Sequence, residues 1–195
     1  MQRPFWLFLH SCKKWFLQYG LSLKDSIHLH LRPSLPNRSK HNLFEHTYQE
    51  VLNFACEELM YSIARRNLEL TFAFGDDPIY VNVDQEKTTL AFVNLINNAI
   101  RFSPEGGQIV IGAVQQGDKV MAWVQDNGIG IPVDKLQKVF EEFYQIEPPN
   151  TRHYGRLGIG LTIARGLFEV QSGKLWAESE GLGKGSTFKV LLPTA

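Results

Sequence analysis

The period of the hydrophobic positions changes along this chain, and each change marks an element. "HTYQEVLNFACEELMYSIARRN" sets Leu52, Ala55, Cys56, Leu59 and Ile63 at helical spacing with charges opposite, which predicts an amphipathic helix. "LELTFAF" alternates and stops at the turn signal "GDDP", and "IYVNV" reads as another short strand. Asp84 then stands as the N-cap of a long helix, "QEKTTLAFVNLINNAIRF", closed by Ser103-Pro104 and the turn "EGG". "QIVIGAV" and "KVMAWVQD", joined through Gly117-Asp118, predict an antiparallel hairpin. "VDKLQKVFEEFY" reads as helical, with Leu136, Val139, Phe140 and Phe143 on one face. "QIEPPNTRHYGR" has no apolar period and is a loop; "LGIGLTIARGLFEVQSG" is a helix opened by glycines. "GKLWAESE" and "STFKVLL" are final strands around "GLGKG". This order predicts an α/β fold, a two-layer sandwich whose mixed sheet carries helices on one face.

The first 43 residues do not follow this regularity. Pro33 and Pro36 interrupt the polar, basic run "HLHLRPSLPNRSKHN", so residues 1–43 are expected to be a poorly structured or partner-dependent segment, with the regular domain over 44–195. The apolar run Phe5 to Leu9 is far below the ~20 residues of a spanning helix and the ~7–15 of a signal peptide core. No membrane contact is therefore expected, and a cytoplasmic location is.

Composition narrows the class only a little. The 195 residues are 44% apolar and 21% charged, ordinary for a globular chain. A formal net charge of +0 leaves no footprint for nucleic acid or an anionic membrane. Cys12 and Cys56 have neither metal-ligand spacing nor a disulfide framework and read as free thiols in a reducing compartment.

The polar residues inside the regular elements say more. Asn94, Asn98 and Arg101 fall at i, i+4 and i+7, one stripe of the long helix. Asparagine is a poor helix-interior residue because its amide competes for backbone hydrogen bonds. Amide oxygens can ligate a hard cation without neutralising it, which suits Mg²⁺ carrying phosphates, and Arg101 can meet a phosphate oxygen. The alternative is a solvated helix face. In "RLGIGLTIAR", Gly158 and Gly160 open a helix, so bare N–H groups can approach an anion at its positive end. It is not a Walker loop, since no G-K-[ST] follows, and it does not follow a strand as a Rossmann loop would.

Taken in order, "NLINNAIRFSPEGG", "VQDNGIGIP", "VFEEFYQ", "GRLGIGLTIAR" and "GKGSTFKVLLP" closely resemble the N box, first glycine box, F box, second glycine box and terminal glycine box of sensor histidine kinase catalytic domains. That family has the Bergerat fold shared with gyrase and MutL-type ATPases, and the resemblance covers roughly residues 44–195.

The resemblance implies ATP and Mg²⁺ as cofactors and assigns roles. Asp126 would accept a hydrogen bond from the adenine amino group. Gly128 and Gly130 would let the backbone pass close to the base, Ile131, Ile159 and Leu161 would wall the ring, and Thr187 would support the adenine end. Asn94 and Asn98 match metal-binding asparagines, Arg101 a phosphate contact, and Gly158 and Gly160 the backbone donors to phosphate. The loop 147–156 corresponds to the ATP lid, where Arg152 is placed to reach the γ-phosphate or, equally, to be a solvated loop arginine. Phe140 and Phe143 match the F box.

Within the fold, gyrase-like ATPases place a glutamate four residues before the metal asparagine to activate water. This chain has Asn94 there, and an amide is no general base near neutral pH. Phosphoryl transfer to a protein side chain is therefore favoured over hydrolysis. Two features depart from the family pattern. Arg156 replaces a glycine that opens the second glycine box. No H-E-[LI]-R-x-P phosphoacceptor segment occurs either: "HLHLRPSLP" has no acid after His28 or His30. The expected partners are a dimerisation domain carrying an H box, which supplies the histidine, and a response-regulator receiver domain. A nucleotide-responsive docking module without phosphotransfer, and a Bergerat ATPase, are the alternatives.

Overall fold

The computed structural model describes residues 44–75, 77–146 and 158–195. The expected character of residues 1–43, and Arg152 and Arg156, lie outside the described residues.

The first helix is set by its start. Thr47 accepts from the Glu50 N–H at 3.2 Å while Glu50 Oε2 accepts from the Thr47 N–H at 3.1 Å, a reciprocal capping box that fills two orphan donors. Helix α1 (Tyr48–Arg65) therefore begins just after β1 (Phe44–Thr47), an extended stretch that pairs antiparallel with β3 (Tyr80–Val83). The sequence pattern merges β1 into the helix, because four residues are too few to show alternation. Asp84 caps α2 (Gln85–Phe102) as expected, accepting from the Lys87 N–H at 3.1 Å.

The main sheet holds β2 (Glu69–Ala73), β4 (Gln108–Gln116), β5 (Lys119–Asp126), β7 (Ser186–Pro193) and β6 (Lys174–Glu178) in that spatial order. β2 lies parallel to β4 and every other pairing is antiparallel, so the sheet is mixed and β4–β5 is the expected hairpin. Alternation sorts the faces: Ile109, Ile111, Val120, Ala122, Val124, Phe188, Val190 and Leu192 are buried under the helices. Their neighbours Trp123, Lys189 and Trp176 line the other, more open face. The expected two-layer α/β sandwich with helices on one face is what forms.

One aromatic from each helix ties the helical layer together. Tyr48 of α1 meets Phe92 of α2 edge-on at 5.6 Å, and Phe92 meets Phe168 of α3 (Gly160–Glu169) at 5.4 Å. Such pairs add about 0.5–1.5 kcal/mol each beyond area burial. The Tyr48 hydroxyl donates to the Gly112 carbonyl at 3.2 Å, so its burial leaves no unpaired donor. Desolvation there pushes its pKa well up.

The segment "VDKLQKVFEEFY" departs from expectation. In place of a helix it forms two short 3₁₀ turns, Val133–Lys135 and Lys138–Phe140. Val139 and Phe140 are buried, while Phe143 is 65% exposed with φ at +61°. Phe140 packs edge-on against Phe188 at 6.2 Å, and the Thr162 hydroxyl of α3 captures the Phe140 carbonyl at 2.8 Å. These tertiary contacts hold Phe140 in place and leave Phe143, on the same apparent helical face, exposed.

Candidate functional site: a buried acid between two glycine loops

The site is built at the end of β5, where Asp126 sits on the helix-facing side of the sheet and is only 4% exposed. Its Oδ1 accepts from the Gly128 N–H at 2.8 Å, and its Oδ2 accepts from the Ser186 hydroxyl at 2.6 Å. Asp126 and Ser186 are direct cross-strand partners, so their side chains share a face. Burial raises the Asp126 pKa, and the hydrogen bonds from Ser186 and Gly128 pull against that rise. The carboxylate retains lone pairs for a further donor.

The chain beyond Asp126 is zipped to the turn that precedes β7. Gly183 N–H donates to the Ile129 carbonyl at 2.7 Å and Gly185 N–H to the Gly128 carbonyl at 3.1 Å. Gly130, with φ at +72°, lies so close that any Cβ would overlap the Gly181 carbonyl oxygen. Only glycine permits that conformation and that approach. On the other side, Ile129 N–H donates to the Phe102 carbonyl at the end of α2 at 3.2 Å. Ile131 is buried at the far end of this loop.

The α2 stripe meets α3 at its first residue. Asn94 Nδ2 donates to the Leu90 carbonyl at 2.8 Å, and Asn94 Oδ1 lies 2.9 Å from where a Cβ of Gly160 would stand. Asn98 is half-buried one turn on, and Arg101 is exposed, its guanidinium 5.2 Å from the Phe102 ring centroid. Ile159, Gly160 and Leu161 are half-buried, Gly158 turns the chain into α3 with φ at +70°, and no side chain caps that helix start. Amide oxygens, a guanidinium and uncapped helix N–H groups suit a phosphate with a hard cation.

The structure thus brings Asp126, Gly128, Gly130 and Ile131 into one wall, and Asn94 against Gly160. It does not bring Thr187 to Asp126. Thr187 pairs with Gln125 and points to the opposite face of the sheet; Ser186 holds the position beside the acid. The alternation of Phe188, Val190 and Leu192 carried that signal, since it puts Ser186 and not Thr187 on the inner side. Two further residues escaped the motifs. Ser179 bridges the two glycine loops, and Arg66 donates to the carbonyls of Ile100, Arg101 and Ser103 at the end of α2.

Fold and site together define a class: a two-layer ATP-binding domain of the Bergerat type. Residues 83–195 match the histidine kinase-, DNA gyrase B-, and HSP90-like ATPases, and the chain belongs to that family. It is 39% identical over 130 residues to the sensor histidine kinase WalK of Bacillus subtilis (strain 168), covering 66% of this chain and 21% of that protein. It is 35% identical over 141 residues to an uncharacterized sensor-like histidine kinase of Rhizobium meliloti (strain 1021), covering 72% of this chain and 27% of the relative. The matched region therefore spans about a fifth to a quarter of these relatives. Among solved structures, the catalytic domain of histidine kinase ThkA superposes with a TM-score of 0.68 at 25% identity, over 78% of this chain and 96% of that one. The domain is thus similar to the catalytic domains of sensor histidine kinases. No helix among the described residues is long and apolar enough to cross a membrane.

Proposed function

We propose that this chain binds ATP with Mg²⁺ and transfers the γ-phosphoryl group to a histidine on a dimerisation domain carrying an H box, for relay to a response-regulator aspartate. The observation that carries the reading is Asp126: a buried acceptor at a strand end, oriented through both oxygens and flanked by glycine backbone. Adenine presents an N–H₂ donor to such an acceptor, whereas guanine presents a carbonyl oxygen at the same position, so two acceptors would face each other. Ser186 is the hydroxyl that supports the acid, while Thr187 stays assigned to the adenine end, by its hydroxyl or through water.

The residues at the phosphate end fit Mg²⁺. The side-chain oxygens that the α2 stripe offers are the amide oxygens of Asn94 and Asn98. Asn94 has its amide nitrogen engaged and its oxygen toward the start of α3, and Asn98 follows one turn on. When bound, the cation neutralises charge on the triphosphate. Arg101 would orient a phosphate oxygen, and the N–H groups at the start of α3 would donate to phosphate oxygens at the positive end of the helix. Arg152 is assigned to the γ-phosphate.

The identity of Asn94 supports transfer over hydrolysis, since no carboxylate stands there to activate water. A histidine acceptor has to be presented in line and in contact with the γ-phosphate by a rigid element. We place that element outside this sequence, and the domain in the cytoplasm. With γ-labelled ATP, the chain alone should acquire no stoichiometric acid-labile, base-stable phosphate, and adding a dimerisation domain with an intact H box should place the label on that partner. Robust labelling at His28 or His30 would overturn the assignment of the acceptor.

A further inference from the structure

Ser179 follows the last residue of β6 and lies outside the five motifs. Its hydroxyl donates to the Gly185 carbonyl at 2.7 Å and accepts from the Ile131 N–H at 3.0 Å and the Gly181 N–H at 3.2 Å. The Gly181 carbonyl is also near, at 3.3 Å, but the hydroxyl has one proton, and the shorter contact takes it. One donor and two acceptor sites are the whole capacity of a serine hydroxyl, so here it is fully used.

The three groups it joins belong to different parts of the site. Ile131 ends the loop that begins at Asp126, Gly181 starts the turn before β7, and Gly185 directly precedes Ser186, the donor to Asp126. Two backbone bonds also join the loops, Gly183 N–H to the Ile129 carbonyl and Gly185 N–H to the Gly128 carbonyl. Glycine backbone has the most freedom to lose, so holding it in one geometry requires added constraints. A half-buried hydroxyl that binds both loops at once provides one.

We propose that Ser179 is a positioning residue for the adenine end of the site, holding the loop from Gly128 to Ile131 at the distance from β7 that the base requires. It touches neither base nor phosphate and acts through Ile131 and Gly185. This inference rests on the reading of Asp126 as the base acceptor. A purely structural serine would, on removal, weaken all ligands alike; a positioning serine weakens those with a base.

The test uses the full chain with ADP and with inorganic tripolyphosphate, each with Mg²⁺, and with hydrogen exchange at the Ile131 amide in nucleotide-free protein. Losing the hydroxyl in Ser179→Ala should weaken ADP roughly five- to tenfold, the worth of one or two net hydrogen bonds, while tripolyphosphate binding is unchanged. Ile131 exchange should accelerate in that variant. Ser179→Thr, which keeps the hydroxyl, should restore ADP binding to within about twofold, and Ser179→Cys, a weaker donor and acceptor, should fall between. If Ser179→Ala does not fold, the ordering of the Cys and Thr variants carries the same information. Equal loss for ADP and tripolyphosphate, unchanged ADP affinity, or failure of Thr to restore it would overturn the proposal. A wild-type chain that folds, protects Ile131 and still prefers no adenine nucleotide would instead show that the reading of Asp126 fails, and the inference with it.

Discussion

The Ser186 hydroxyl donates to Asp126 Oδ2 at 2.6 Å across 60 residues of sequence, joining the ends of two adjacent strands. That bond orients the acid from one side while the Gly128 amide orients it from the other. A carboxylate held this way presents its remaining lone pairs in a fixed direction. Ser186→Ala should therefore weaken adenine nucleotides by roughly tenfold, about the worth of a hydrogen bond to a charged group, and leave tripolyphosphate unaffected. Calorimetry of both ligands checks it.

Burial raises the Asp126 pKa, and the sign of that shift makes two predictions. Adenine recognition needs the deprotonated acceptor, so ADP affinity should fall as pH drops through a value above the ordinary aspartate range. Tripolyphosphate should not show that titration. In stability terms the folded state holds its proton to higher pH than the unfolded chain. Asp126 therefore destabilises the fold progressively as pH rises from the ordinary aspartate pKa through the raised one. Asp126→Asn should be relatively more stable near neutrality than at pH 4, which thermal melts across that range would reveal.

At the phosphate end the helical stripe predicts a division of labour. Asn98→Ala should abolish the Mg²⁺ dependence of ATP binding, while Arg101→Ala should weaken ATP by about tenfold or more and adenosine little, since a charge-assisted bond is worth ~1.5–3 kcal/mol. Mg²⁺ titrations of ATP binding decide the first. An unchanged titration in Asn98→Ala would make the asparagines structural.

Arg66 predicts stability, not affinity. Its guanidinium takes the carbonyls of Ile100, Arg101 and Ser103, the unsatisfied and negative end of α2. Arg66→Met keeps much of the side-chain length and removes the donors, so it should cost about 1–3 kcal/mol in denaturant unfolding.

Much of this was legible before the structure, for identifiable reasons. Long elements with a single period declared themselves: α2 spans the run read for it, and β4–β5 forms the predicted hairpin. The acid and glycines after β5 were readable because a strand that ends in Asp-Asn-Gly-x-Gly has no packing reason to do so. The losses came where local pattern and tertiary contact disagree. Val139 and Phe140 looked helical and instead lie buried on a 3₁₀ turn, Phe140 against Phe188, with Phe143 left exposed at a positive φ. Ser186 stands beside the acid and Thr187 does not, because one residue along a strand moves a side chain to the other face of the sheet. Ser179 and Arg66 carried no signal, because their partners are backbone groups and backbone groups leave no trace in sequence.

On the function proposed here, Asp126 makes this site read adenine. Titrating the wild-type chain and Asp126→Asn with ATP and with GTP, in Mg²⁺, tests it most directly, with circular dichroism to verify that the nearly isosteric variant folds. Wild type should bind ATP far more tightly than GTP, and Asp126→Asn should lose most of that preference while remaining folded. Equal affinity of the wild type for ATP and GTP, or a preference undiminished in Asp126→Asn, would contradict it.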